Sequence, residues 1–399
     1  MKFVIIHQHD PTIPGVGGIG TFIDAFIRNS PENIEINLIG VTAQPDRYPV
    51  GQWHSVSTGK KSFLFFPLVA ANPVHITFIP LTMKMLLALL HYRKHFDLQD
   101  AILEFHRIEP ILAFLKCDNP MVLFLHGHNL KDFYNKNTEV RWGKIPWLYL
   151  WLEKILLPRA SHIHIVREDA VNDYKEKYKR KADDISFIPT WVDETVFKSL
   201  NEEERYSLRN KLAKKCDISA SSKIFLFVGR YEGQKNPIRL LEAFKLVRAR
   251  YADAVLILIG DGSLKNDMKN YVQQQALTPS VLFLPAMTQQ EISQWMNAAD
   301  VFCLSSAFEG MPFVILEALY SGLPVVSTAV GEATRLLGNS QGGRLVTNGG
   351  AEPFANAMID LLTNPPTREA CNKQVESYTA QNILAPVYQY HCTLLKINK

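Results

Sequence analysis

Cysteine is sparse and scattered. Five occur in 399 residues, Cys117, Cys216, Cys303, Cys371 and Cys392. They form no C-x-x-C pair and no Cys/His ligand spacing, so neither a disulfide framework nor a structural zinc site is indicated, and a reducing compartment is expected. Charge of one sign is also lacking. With 43 Lys and Arg against 39 Asp and Glu the formal net charge is +4, which suits an anionic surface but excludes the strongly basic signature of a nucleic-acid binder. No apolar run reaches the roughly 20 residues that cross a bilayer. The longest, residues 76–90, is interrupted by Lys84 and predicts a buried or partly buried helix. The chain opens Met-Lys-Phe-Val-Ile-Ile-His, a strand and not a cleavable signal, which predicts a mature start near residue 1 and a cytoplasmic protein whose membrane contact is peripheral at the inner face. No Asp-x-Asp stands at the end of a strand-like run, and no His/carboxylate cluster has ligand spacing. No divalent metal is required, and no cofactor is expected.

What is present is alternation. Strand-length apolar runs at 3–7, 34–40, 101–105, 121–125, 162–166 and 185–188 form one series, and runs at 224–229, 255–260, 281–284, 301–304 and 324–328 a second. Helical stretches at 237–250, 264–275, 289–298 and 312–321 separate the second set. Continuous Val/Ile/Leu/Phe runs suit strands buried on both faces, so two parallel α/β sheets are expected. The break falls at 189–200, ahead of the charged segment 201–215. The predicted domains are 1–195, 196–380 and a C-terminal helix over 381–399, centred on 385–396, that either stays or crosses back to the first domain.

Three motifs carry chemistry. Gly15-Val16-Gly17-Gly18-Ile19-Gly20 reads as G-x-G-x-x-G before a helix over 21–29. Seven residues separate it from the strand, and the second strand does not end in a carboxylate, so a dinucleotide is not implied, whereas phosphate contact at a glycine-lined helix start is. In the second half, strand 224–228 ends in Gly229-Arg230, followed by Gln234-Lys235-Asn236-Pro237, with Asn236 read as an N-cap and Pro237 as the first helical residue. Arg230 and Lys235 at the carboxyl edge of a parallel sheet suit a diphosphate. The third runs Ser305-Ser306-Ala307-Phe308-Glu309-Gly310-Met311-Pro312-Phe313-Val314-Ile315-Leu316-Glu317-Ala318, then Gly322-Leu323-Pro324-Val325-Val326. Pro312 suits a helix start, leaving the amides of Phe313 and Val314 at its positive end, with Glu309 before it and Glu317 a turn and a half inside.

These residues, with His126-Gly127, resemble the GT-B superfamily and within it the retaining family 4 glycosyltransferases. The resemblance covers nearly the whole chain and is densest over residues 224–328. It implies two facing Rossmann-like domains with a cleft between them, and a hexose moved from a nucleotide-diphosphate sugar, UDP more often than GDP, to the hydroxyl of a glycan or lipid-linked acceptor. Arg230 and Lys235 then take the diphosphate, Glu309 the donor sugar hydroxyls and Glu317 the ribose. Gly17 and Gly18 approach the phosphates, with Gly229, Gly310, Met311, Pro312, Phe313 and Val314 completing the donor site. Backbone groups at Phe283 and Leu284 meet the base, and His126 faces the donor sugar. The acceptor hydroxyl attacks from the face the phosphate leaves, without a metal; the cations and helix dipole take the metal's place. A phosphorylase of the same fold and a silent sugar-nucleotide-binding subunit are the alternatives. Two positions depart from the family pattern: Gly331-Glu332-Ala333-Thr334-Arg335, where Gly-Gly and then Glu are common, and Thr190-Trp191, where Asn-Gly is commoner.

The first half, expected to hold the acceptor, says less. His106 and Arg107 follow a strand and are acceptor candidates, with a local ion pair to Glu109 the alternative. His7, His9 and His128 are secondary candidates. Trp142, Trp147 and Trp151 recur at helical spacing among Arg141, Lys144, Lys154 and Arg159. Such stripes predict rings packed inward; a helix lying on an anionic membrane is the alternative. The basic run 175–181 reads as a solvated face.

Overall fold

In a computed structural model of the chain, residues 1–13, 18–71, 80–126, 146–338, 341–347 and 350–397 are described. Two compact units emerge. The first runs to Pro189, apart from Gly18, and takes back the chain end from Ile383; the second is Thr190–Asn382 together with Gly18.

The first unit holds eight strands, β1 (Lys2–Ile6), β2 (Glu35–Thr42), β3 (His54–Thr58), β4 (Lys61–Ala70), β5 (Ala101–Phe105), β6 (Met121–Leu125), β7 (His162–Ile165) and β8 (Ile185–Phe187), in the order β3-β4-β2-β1-β5-β6-β7-β8. All neighbours pair parallel except β3 with β4. The hairpin β3–β4 was not predicted. Its alternating exposed and buried residues over 61–66 give a weaker apolar signal than a strand covered on both faces. The second unit holds β9 (Lys223–Val228), β10 (Ala254–Ile259), β11 (Val281–Leu284), β12 (Val301–Leu304), β13 (Val325–Thr328) and β14 (Gly343–Val346) in the all-parallel order β11-β10-β9-β12-β13-β14. This is the doubly wound 3-2-1-4-5-6 arrangement. The edge strand β14, Gly-Arg-Leu-Val with its two middle residues only half-buried, was not predicted because it lacks the continuous apolar run of the inner strands.

In each sheet the strand order reverses beside the first strand, and ligands bind outside the carboxyl ends at such a switch point. In the first unit the reversal falls between β1 and β5, and in the second between β9 and β12. The loops that follow these four strands are therefore the ones the fold places for chemistry.

Helices cover both sheets. Pro237–Arg250 buries Leu240, Leu241, Phe244 and Val247, each side chain worth roughly 1.5–3 kcal/mol, against Phe225 and Phe227 of β9 and Leu256 and Leu258 of β10 in one core cluster. The final helix, Ala380–Ile397, begins in the second unit and ends in the first, starting five residues ahead of the central stretch 385–396. A bridge between Val192 and Thr379 fixes its beginning, while Glu194 accepts from the amides of Ala380 and Gln381. Further along, Tyr388 donates to the Phe26 carbonyl and His391 meets Glu104 at 3.0 Å with both side chains fully buried. His391 also meets His164 at 2.9 Å, and Ser186 joins His164 to His162. The one histidine distant in sequence from the other eleven thus belongs to the same unit.

Three local expectations are corrected. Asn236 does not cap its helix through its side chain. It is left-handed (φ 44°), a conformation Asn tolerates, while Ser305 Oγ donates to the carbonyls of Lys235 and Asn236. Pro312 precedes the helix Phe313–Tyr320 as its cap residue. The helix Pro146–Leu156 does not turn its tryptophans inward. Trp147 is 69% and Trp151 56% exposed, because the buried side belongs to Tyr149, Leu156 and Glu153. Glu153 receives Lys177 and Tyr178, each at 2.6 Å, which fixes the helix rotation. Trp142 lies outside the described residues. Of the apolar run 76–90, the described part forms the helix Leu81–Tyr92, with only Met85 and Leu89 buried.

Candidate active site

In the second unit the loops after β9 and β12 meet. Lys235, at the end of the turn Gly233–Lys235, places Nζ 2.5 Å from Glu309 Oε1, and Ser306 Oγ donates to the same oxygen at 2.6 Å. The pair is well shielded, its side chains 17% and 7% exposed. Arg230 joins through Gln234: Arg230 Nη2 donates to Gln234 Oε1 at 3.1 Å, Gln234 Nε2 donates to the Phe308 carbonyl and Ala307 N–H to the Gln234 carbonyl. Two cations and one carboxylate, the carboxylate 74 residues beyond Lys235 in sequence, are thus fastened at the switch point. Arg230 is itself exposed, as a cation offered to an anionic ligand must be.

The loop carrying Glu309 is held from beneath. Gly331 (φ +50°) lies so close that a Cβ there would meet the Glu309 and Gly310 carbonyl oxygens at 2.3 Å, and Glu332 N–H donates to the Gly310 carbonyl. Where the family often has a second glycine and an acid, Glu332 instead pairs with Arg335 at 2.6 Å, and Arg335 reaches the Tyr378 hydroxyl. The departure is thus an ion pair beside a glycine that the loop requires. Thr190 N–H and Oγ1 contact Met311, and the buried Trp191 ring meets Phe313 edge-on at 5.9 Å. Thr190-Trp191 therefore packs the segment from Met311 to Phe313. Val314 follows in the first turn of Phe313–Tyr320, whose positive end faces this loop's side of the chain, and Glu317 lies buried one turn on. Gly229 follows β9, where a Cβ would touch Phe227 and Lys235. Phe283 and Leu284 end β11; Tyr231 packs on the Phe283 ring, and the Leu284 carbonyl accepts from Gly260 N–H.

In the first unit the loops after β1, β5 and β6 gather histidines. His106 Nδ1 and His126 Nε2 are 2.8 Å apart, and His106 stacks on Phe124 with His7 at its edge. Phe22 meets both His106 and His126 edge-on. Burial, reinforced by the neighbouring imidazoles, drives the pKa of His7 and His106 well below the ordinary value, so both rings are neutral near pH 7. His106 is only 4% exposed and lies against His126. Arg107 is tied to Glu109 at 2.8 Å, the ion-pair alternative. His9 bonds Asp24 at 2.6 Å, a partner that the sequence reading missed. Gly18 begins the helix Gly18–Arg28 and is exposed; Gly17, Gly127 and His128 lie outside the described residues. Among the described residues no three His, Cys, Asp or Glu side chains gather as a metal-ligand set.

A doubly wound unit with paired cations and a shielded carboxylate at its switch point, in one chain with a second, mostly parallel α/β unit, defines the GT-B class of sugar-transferring folds. Solved structures share the fold: sucrose-phosphate synthase from Thermosynechococcus elongatus superimposes with a TM-score of 0.80 at 17% identity over 99% of both chains, and Anabaena HepE in complex with UDP-glucose with 0.72 at 16%, over 98% of this chain and 100% of that one. A family model, glycosyl transferases group 1, matches residues 209–378. The UDP-Gal:alpha-D-GlcNAc-diphosphoundecaprenol alpha-1,3-galactosyltransferase of Escherichia coli is 31% identical over 281 residues, 68% of each chain. The alpha-monoglucosyldiacylglycerol synthase of Streptococcus pneumoniae is 27% identical over 57% of this chain and 50% of its own. The chain belongs to the group 1 glycosyltransferases, family 4, enzymes that transfer sugars from nucleotide-sugar donors.

Proposed function

We propose that the chain moves a hexose from a UDP-sugar, with retention of configuration and without a resident metal, to the hydroxyl of a lipid-linked or glycan acceptor. The observation that carries this is the Lys235–Glu309 contact with Arg230 alongside. The arrangement has one place for a leaving diphosphate and, against it, an acceptor of hydrogen bonds for the sugar hydroxyls. On donor binding Lys235 exchanges its carboxylate partner for diphosphate oxygens, joined by Arg230 and the first-turn amides of Phe313–Tyr320, and Glu309 turns to the hexose. Charge building on the leaving group is then met by fixed cations. Glu317 is assigned the ribose, Gly17 and Gly18 the phosphates, Phe283 and Leu284 the base, and His126 the donor sugar. The UDP choice and the lipid-linked acceptor draw on the names of the two relatives, one a UDP-Gal enzyme acting on a diphosphoundecaprenol substrate and the other a diacylglycerol-lipid synthase. Retention draws on the family resemblance.

The test is release of UDP from UDP-galactose and UDP-glucose, with and without an undecaprenyl-diphosphate sugar, in EDTA. UDP release in EDTA that rises with acceptor, and an axial product linkage, are expected. Lys235→Ala should lower kcat by about a hundredfold or more, the scale for losing one preorganised transition-state contact. Activity only with added divalent metal, or only with inorganic phosphate in place of nucleotide, overturns the reading.

A further inference from the structure

Twelve large apolar side chains are exposed among the described residues, and six of them lie on two helices of the first unit: Met83, Leu87 and Leu90 on Leu81–Tyr92, and Trp147, Trp151 and Ile155 on Pro146–Leu156. Each set follows helical spacing, so each is a stripe along one face. Both helices pack on the same short 3-10 helix, Glu109–Phe114. Just past the first helix Arg93 donates to the Ala113 carbonyl, and just past the second Arg159 donates to the Leu115 carbonyl. The two helix ends are therefore tied two residues apart.

The charge around the stripes is of one sign. Residues 81–95 carry Lys84, Arg93 and Lys94 and no carboxylate; residues 146–159 carry Lys154 and Arg159 and a single carboxylate, Glu153, which is fully buried under Lys177 and Tyr178. Five cations thus accompany six exposed apolar groups, two of them tryptophan, with no exposed carboxylate on either segment. Tryptophan beside apolar residues, with lysine and arginine at the margins, is the composition of a helix that lies in a headgroup layer. Self-association through the same face would bring two like-charged rims together, which costs energy. No helix among the described residues is long and apolar enough to span a membrane, so contact by this route is peripheral.

We infer that these two helices form a docking face for an anionic lipid bilayer, with Trp147, Trp151, Ile155, Met83, Leu87 and Leu90 entering the interface and the five cations meeting the headgroups. This concerns a surface and does not rest on the donor or acceptor assignment, since binding is read without either substrate. The full chain is sedimented with vesicles of phosphatidylglycerol and phosphatidylcholine in equal parts, and with phosphatidylcholine alone. Tryptophan emission is followed with brominated acyl chains in the same mixture. Binding to the anionic vesicles, weakened but not abolished by salt, and quenching by the bromines are expected. The triple variant Trp147→Ala, Trp151→Ala, Ile155→Ala should keep the wild-type Tm, because all three side chains are exposed, and lose at least about tenfold in partitioning. Lys94→Glu with Lys154→Glu should remove the preference for anionic over neutral vesicles. No binding of the wild type to anionic vesicles, undiminished binding of the triple variant, or a solution dimer that the triple variant dissolves would each overturn the inference.

Discussion

Lys235 and Glu309 have opposite requirements once separated. Glu309 is shielded from water, so Lys235→Ala leaves its carboxylate with the Ser306 hydroxyl and strands most of a charge that the lysine had compensated; removing one member of a shielded pair costs more than the pair contributes. Glu309→Gln keeps the shape and leaves Lys235 free for a diphosphate. The two variants should therefore diverge: Glu309→Gln close to wild-type Tm with kcat on the donor sugar reduced, Lys235→Ala reduced in both, as thermal melts and UDP-release kinetics would report. Gly331 gives a sharper case. A side chain there is strained at φ +50° and collides with two carbonyl oxygens of the Glu309 loop, so Gly331→Ala should cost about 1–3 kcal/mol and weaken donor binding, measured by denaturant unfolding and by UDP titration. Arg230, Lys235 and Glu309 were legible beforehand because each follows a strand end, where residue type and position coincide. The role of Gly331 was not, since its requirement comes from backbone that closes over it from 22 residues away. The His9–Asp24 and His106–His126 bonds were likewise invisible, because nothing in local spacing marks which imidazole faces which partner.

At the scale of elements, the parallel strands were readable because burial on both faces writes itself as an unbroken apolar run, whereas β3, β4 and β14, at sheet edges or half covered, left weaker traces. The helix Pro146–Leu156 shows the limit of counting tryptophans at helical spacing. Periodicity finds the stripe but not which way it faces, and here the inward direction was decided by Glu153, whose partners Tyr174, Lys177 and Tyr178 come from the following helix and the turn after it. The cap read from sequence, Asn236, is not made by its side chain, whereas Asn201, not singled out beforehand, makes one. Asn201 accepts from Glu204 N–H, and the Glu204 carboxylate accepts from Asn201 N–H, a complete capping box on the helix Glu202–Lys215. Asn201→Ala should cost about 1 kcal/mol in chemical denaturation while leaving kcat and KM unchanged, because the helix carries none of the assigned donor residues.

The whole molecule divides its acid sensitivity as it divides its chain. Every histidine lies before residue 165 except His391, and residues 190–382 contain none, so imidazole titration belongs to the first unit alone. Burial lowers the pKa of His7, His106 and His164 well below the ordinary value and that of His162 to about 4. An unfolded chain binds protons on these rings from about pH 6.5 downward, while the folded unit refuses them. The unfolded state then holds more protons, and stability falls as pH falls, by up to about 1.4 kcal/mol per pH unit for each ring. For His162 that loss runs from about 6.5 to its folded value. Glu104 acts with the opposite sign, since burial raises its carboxyl pKa and the folded state gains a proton first, but it is one group against four. In the second unit the carboxylates of Glu232, Asp261, Glu291 and Asp360 are held below their ordinary values, burial opposing, by hydrogen bonds from Ser263, Lys265, Thr288 and Asn364, with Arg344 assisting at Asp360. Their contribution is intact above about pH 4.5 and is lost only below it. Between pH 6.5 and 4.5 the first unit should therefore weaken while the second holds. Calorimetry across that range should show one transition moving to lower temperature and another staying in place, with the fixed one raised by added UDP. His162→Asn should flatten the slope of the moving transition by about one proton, and two transitions that shift together would show that the units do not titrate independently.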